Sequence, residues 1–155
     1  MAEFEIIEVA PRHAAIVRGR LPVGELPAFF GVAFTSVMKV LSEQGMAPIG
    51  PPFGYYPCPP DDRVDVEAGF PTAEPVEPSG DVVPLVLPHG RAVRTVHVGP
   101  YDTMHETYAA LTAWMAEHGE RPCDQMWETY LSDPTAEPDP STWRTEIVWP
   151  LHPRS

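Results

Sequence analysis

One pattern of elements runs through this chain twice. Glu3 to Val9 alternates loosely and predicts a first strand; Ala14 to Arg20 predicts a second, with a hairpin between them. From Glu25 to Gln44, Leu26, Phe29, Phe30, Val37, Met38 and Leu41 recur at spacings of three and four, and Gly45 follows, which predicts a helix with one buried stripe. Phe53 to Pro57 and Val64 to Phe70 are two further short strands. The series then restarts. Asp81 to Leu87 and Ala92 to Val98 are strands, and Met104, Tyr108, Leu111 and Met115 share one face of a second helix that stops at Gly119. Thr103-x-x-Glu106 has the form of a capping box at its start. Gln125 to Leu131 and Arg144 to Trp149 close the second pass.

The two passes can be laid over one another. Gly19 answers Gly99, Gly45 answers Gly119, Tyr56 answers Tyr130, and Phe70-Pro71 answers Trp149-Pro150, the register drifting only through loops. Residue identity between the passes is low, so a chance likeness of two αβ segments is the alternative. The repeat predicts a single α+β domain over residues 1–155, with a first module at about 1–75 and a second at about 80–155. It holds about eight antiparallel strands and two helices, near Glu25 to Gln44 and Thr103 to His118. The 21 prolines cluster between the apolar segments, at Pro57 to Pro60, Pro71 to Pro78 and Pro134 to Pro140, where they stiffen loops.

The formal charge of −12, from 22 acidic against 10 basic residues, provides no basic surface to neutralise a phosphate backbone, so no nucleic-acid partner is expected. The same field concentrates cationic ligands. Cys58 and Cys123 lack metal-ligand spacing, and the start of the chain has neither a basic n-region nor an apolar h-region, so free thiols in a cytoplasmic protein are expected. No apolar run approaches the roughly 18 residues of a membrane span, and no membrane association is expected. His105-Glu106 begins a zinc-like motif, but Ala109 stands where its second histidine belongs, so no metal is expected. No Gly-rich phosphate loop follows a strand and no serine or cysteine sits in a nucleophile elbow, so neither a cofactor nor nucleophilic catalysis is expected.

The strand from Gln125 to Leu131 carries the chemistry. Successive side chains alternate, so Met126, Glu128 and Tyr130 share one face while Trp127, Thr129 and Leu131 share the other. Trp127 and Leu131 suit a core. Glu128 then faces either bulk solvent, as an ordinary surface acid, or a cavity, as a receptor for a cation or a base for activating water. At the spacing of the repeat, Tyr56 matches Tyr130 and Gly54 matches Glu128. A missing side chain opposite a carboxylate leaves volume for a ligand; the other reading of Gly54 is a turn after Pro51-Pro52.

Three ordered blocks, His97-Val98-Gly99-Pro100-Tyr101, Trp127 to Pro134 and Thr145-Glu146-Ile147-Val148-Trp149-Pro150, resemble the signature blocks of the gyrase-inhibitor-like (GyrI-like) small-molecule-binding domain. Asp65 to Pro71 fits the same pattern. This is the effector-binding half of several multidrug-sensing transcription activators, also found alone. The resemblance implies two strand-helix-strand-strand modules about a pseudo-twofold axis, forming one curved antiparallel sheet with both helices packed on it. It also implies an aromatic cavity whose buried glutamate, here Glu128, meets lipophilic cations. Some stand-alone members are similar to hydrolases that open strained cyclopropane rings in DNA-alkylating natural products. The activators join this domain to a helix-turn-helix segment for which no residues remain here, so a transcription factor is not expected.

The expectation is therefore a domain that binds a small hydrophobic or cationic molecule through Glu128, Tyr130, Tyr56, Tyr55, Gly54, Trp127 and Phe34. The alternatives are a hydrolase with Glu128 as general base and Tyr130 or Tyr56 as hydroxyl donor, and a protein-interaction module such as a gyrase inhibitor.

Overall fold

The computed structural model describes residues 3–58, 61–132 and 136–153; Pro59, Pro60, Asp133 and Pro134 of the segments named above lie outside them. The chain runs β1 (Glu5–Val9), β2 (Arg12–Leu21), α1 (Leu26–Glu43), β3 (Phe53–Tyr56), β4 (Val64–Pro71), β5 (Val82–Leu87), β6 (Gly90–Val98), α2 (Met104–Glu117), β7 (Met126–Tyr130) and β8 (Arg144–Pro150). All strands join one antiparallel sheet in the order β1-β6-β8-β7-β3-β4-β2-β5, an α+β fold with two helices. Both helices stop at a glycine with positive φ, Gly45 (70°) and Gly119 (67°), a conformation that favours a residue without a Cβ.

The expected β1–β2 hairpin does not form. β1 pairs with β6, and β5 pairs with β2, so each pass gives its first strand to the other. Ala10 and Pro11 alone separate β1 from β2, and three Cα steps span at most about 11 Å. In a flat sheet those strands, six positions apart, would stand roughly 29 Å from one another at about 4.8 Å per strand. The sheet must therefore curl until its ends approach. Pro88 and His89 impose the same closure on β5 and β6. Inside the curl, Ile7 and Val9 of β1 and Val83 and Leu85 of β5 pack on one cluster with Ile16, Phe53, Tyr55, Trp127 and Val148.

The opposite face carries both helices. Val37, Val40 and Leu41 of α1 pack with Ala15, Val82 and Phe70, and Leu111 and Met115 of α2 pack with Val93, Met126 and Ile147. The buried stripe of α1 is Ala33, Val37, Val40 and Leu41; Met38, expected inside, is 43% exposed because it falls to the side of the arc that meets the sheet. The stretch Val23–Glu43 is long and apolar enough to cross a membrane by length and composition, contrary to the sequence reading, yet here that arc packs on the sheet. The capping box also fails. The Thr103 hydroxyl donates to the Pro100 carbonyl at 2.9 Å and lies 3.2 Å from His97 Nε2, leaving no side-chain cap on α2.

The strand order reads the same from either end once each strand is exchanged for its counterpart, which is a pseudo-twofold axis between β3 and β7. Ala15 faces Phe70 as Val93 faces Trp149, and Phe53 faces Gly69 as Trp127 faces Val148. Tyr56 and Tyr130 are thus equivalent, and so are Gly54 and Glu128. Gly19, opposite Val66, corresponds to His97, opposite Thr145, rather than to Gly99. Gly54 and Glu128 also face each other directly in the register, so the axis passes between them.

Candidate functional site

β7 presents Glu128 and Tyr130 to the helix side of the sheet, and β3 presents Tyr56 beside them. The Tyr130 hydroxyl donates to Glu128 Oε1 at 2.9 Å, and the Tyr108 hydroxyl of α2 donates to Glu128 Oε2. Tyr56 and Tyr130 stand close enough for each to perturb the other's phenol. Burial pushes the Glu128 carboxyl above the usual carboxylate range; the bonds from Tyr108 and Tyr130 and the charge of His97 oppose that rise without cancelling it. Tyr56, Tyr108 and Tyr130 are all raised, first by burial and then by the Glu128 charge, so each stays a neutral phenol able to donate.

Glu128 lines a cavity of about 870 Å³ between α1, the start of α2 and the sheet. One wall is aromatic. Phe30 and Phe34 stack at 5.6 Å and 13°, Phe70 meets Phe34 edge-on at 5.6 Å, and Tyr130 meets Phe30 edge-on at 5.6 Å. Tyr101, Met104 and Leu131 also line it, with Pro51 and Pro52 immediately before β3. A half-buried carboxylate in a largely aromatic enclosure of this size, within the usual range of small-molecule pockets, is suited to a ligand with an apolar body.

The structure brings Glu128, Tyr130, Tyr56 and Phe34 together around this space. Tyr55 and Trp127 are on the other face, 6.3 Å apart inside the curl, where the Tyr55 hydroxyl donates to Gln125 Oε1 at 2.5 Å. Alternation along β3 and β7 requires this, since each neighbours a residue that faces the helices. Leu131, expected in the core, is 41% exposed at the cavity rim, beyond the end of β7. Gly54 does not leave open volume. A Cβ there would stand 3.1 Å from both the Phe30 ring and the Tyr130 hydroxyl, which fill its place.

The residue that sequence reasoning missed is Tyr108, assigned only to the buried stripe of α2. The available signal was its hydroxyl, because a buried phenol finds a hydrogen-bond partner. Its counterpart in α1 is Phe34, at the same distance from the terminal glycine, so Tyr108→Phe suits the local shape while removing one donor from Glu128. The variant is expected to lift the Glu128 carboxyl further, so that binding of a cationic dye is lost at a higher pH on acidification; a pH titration of dye fluorescence reads the shift. His97 anchors the approach to α2, with Nδ1 2.6 Å from Thr107 Oγ1 and Nε2 3.0 Å from the Pro100 carbonyl.

A curled pseudo-twofold sheet with an aromatic cavity at its axis defines a small-molecule-binding class of fold. The family model of the GyrI-like small molecule binding domain matches residues 2–152, and the chain belongs to that family. Among solved structures, the C-terminal domain of EcmrR superposes with a TM-score of 0.82 at 22% identity over 99% of both chains. In an EcmrR–DNA complex the same protein gives a TM-score of 0.84 at 20% identity; 99% of this chain is covered, and it spans 58% of that one. A hydrolase from Listeria innocua matches with a TM-score of 0.66 at 19% identity, over 97% of this chain and 92% of its own. SAV2435 bound to tetraphenylphosphonium matches with a TM-score of 0.69 at 10% identity, over 97% and 94%. At these identities the likeness is one of fold. The sequence matches none of the curated proteins.

Proposed function

We propose that this domain binds flat hydrophobic or cationic small molecules in the cavity at its pseudo-twofold axis, with Glu128 as the counter-charge. The observation that supports the reading is a half-buried carboxylate, held above the usual carboxylate range chiefly by desolvation, on the lining of a largely aromatic cavity of about 870 Å³. A cation over an aromatic face contributes roughly 0.5–2 kcal/mol when desolvated, and Tyr56, Tyr101 and Tyr130 offer such faces. The SAV2435 relative, bound to a lipophilic cation, supports the same ligand class. The test is a titration of a lipophilic cationic dye beside its neutral analogue. Micromolar binding of the cation, about tenfold or more tighter than the neutral dye, is expected; equal affinities would remove the counter-charge role, and no binding of either would sink the reading.

Hydrolysis is the second reading, favoured by the acid–phenol pair of Glu128 and Tyr130 at 2.9 Å. Glu128 takes a proton from water as the water oxygen bonds to a carbon of a strained cyclopropane. The ring C–C bond breaks, its electron pair moves onto a conjugated carbonyl oxygen, and a phenol, Tyr130 or Tyr56, donates a hydrogen bond to that oxyanion. A general base is typically worth about 10²–10⁴ in rate. Chromatography of a cyclopropane-bearing alkylator incubated with the protein separates the readings. Multiple turnovers, abolished in Glu128→Gln and partial in Tyr130→Phe, are expected of a hydrolase, whereas depletion limited to one equivalent marks binding alone. An interaction module such as a gyrase inhibitor would be favoured by a filled core between the modules, where this domain has a cavity.

A further inference from the structure

The two halves of the sheet are filled differently inside the curl. In the first half Ile16 is fully buried opposite Val83, and Gly69 lets β4 close on β2. The counterparts of Ile16, Val83 and Gly69 are Arg94, Glu5 and Val148. Arg94 donates through Nε to Glu146 Oε2 at 2.6 Å and through Nη1 to Glu5 Oε1 at 2.9 Å. Ion pairs of this kind rarely stabilise a fold more than the apolar packing they replace, so folding does not account for the exchange. What the exchange leaves is a second cavity of about 390 Å³, floored by Trp127, Leu87, Val9 and Val148. It lies on the other face of the sheet from Glu128, because Trp127 and Glu128 are neighbours on β7.

A second departure from the pseudo-twofold occurs at the same place. Arg12 lines this cavity, and its counterpart is Gly90. Among the described residues no carboxylate lies within 4 Å of the Arg12 guanidinium. Two carboxylates are on the lining: Glu146, which is paired with Arg94 at 2.6 Å, and Glu8, whose side chain alternation turns to the face where it sits opposite Arg91. In a chain with 22 acidic and 10 basic residues, an exposed arginine on the lining, with no ion pair among the described residues and an apolar floor within the same cavity, can serve as a receptor for an anion.

We propose that this cavity is a second binding site, for a small planar aromatic monocarboxylate, with the ring on Trp127 and Leu87 and the carboxylate accepting from Arg12. Its volume lies at the low end of ligand pockets, about 300–1,000 Å³, which fits a bicyclic ring system and excludes the larger occupants of the first cavity. The site is independent of the function proposed for Glu128. Isothermal titration with 2-naphthoate and its uncharged analogue 2-naphthylmethanol tests it at neutral pH. The carboxylate is expected to bind about tenfold more tightly than the alcohol. Arg12→Gln, at an exposed position, is expected to erase that difference while leaving the circular dichroism spectrum unchanged. Glu128→Gln and a saturating lipophilic cation are expected to leave 2-naphthoate binding as it is. An unchanged affinity in Arg12→Gln, displacement by the cation, tighter binding in Glu128→Gln, or no binding by the folded protein overturns the site.

Discussion

Glutamine at position 128 is expected to weaken binding of a lipophilic cation by roughly ten- to a hundredfold while making the protein more stable at neutral pH. The first effect follows from the interaction removed: a hydrogen bond or contact with a buried charge contributes roughly 1.5–3 kcal/mol, and about 1.4 kcal/mol is a factor of ten. The second follows from linkage. The folded state raises the Glu128 carboxyl above its unfolded value, chiefly by burial, so it holds the proton more tightly than the unfolded chain does. That contribution to stability is fully present below the unfolded pKa and is lost as pH rises through the folded one. A glutamine is neutral throughout and escapes the loss, while its amide still accepts from one phenol. A gain of roughly 1–3 kcal/mol is the scale for relieving an imperfectly satisfied buried group. The check is a pair of urea denaturations at acid and neutral pH beside a dye titration. The native protein should approach the variant as pH falls, and its dye affinity should fall over the same interval. A variant less stable than the native protein at neutral pH would mean that Tyr108 and Tyr130 compensate the charge fully.

Alanine at position 69 is expected to cost at least about 3 kcal/mol, a large share of the roughly 5–15 kcal/mol by which domains are stable. A Cβ there would stand 1.8 Å from the Ala15 carbonyl oxygen and 2.9 Å from the Ile16 Cα, both backbone atoms, so no side-chain rotation relieves the overlap. β4 would have to retreat from β2, opening the first half of the curl around Ile16. Gly31 is the control. It lies within α1 with no atom within 4 Å of a built Cβ, and alanine there is expected to stabilise by roughly 0.5–1 kcal/mol through helix propensity. Urea midpoints of the two variants should therefore move in opposite directions; a Gly69→Ala midpoint within error of the native one would show that the sheet can relax.

Period and punctuation carried much of this architecture. The apolar spacing of Leu26 to Leu41 and the terminal glycines located the helices, and alternation put Glu128 and Tyr130 on one face of β7. The same alternation, applied to β3, separates Tyr55 from Tyr56; naming both as cavity walls ignored it. Pairing partners were less legible. Ala10-Pro11 reads as a hairpin linker because nothing local distinguishes a strand that returns to its neighbour from one that joins the far edge. The Tyr108 stripe is equally ambiguous, since a phenol at helical spacing packs alike in a core and against a carboxylate until the opposing strand is known. Arg12 and Arg94 gave no signal in one dimension. Their meaning appears only when each is set against its pseudo-twofold counterpart, Gly90 and Ile16.

The trade of first strands between the two passes has a consequence for ancestry. A half-length chain with the same elements could complete its sheet only by exchanging its first strand with a second copy, as a domain-swapped pair. In such a pair the residue at the axis meets its own duplicate, and a glutamate there would bring two desolvated carboxylates face to face in one antiparallel rung. Joining the halves in a single polypeptide lifts that restriction, because each position can then change without its twin. A lone acid opposite a glycine, Glu128 against Gly54, is an arrangement open to a fused chain and closed to a symmetric dimer.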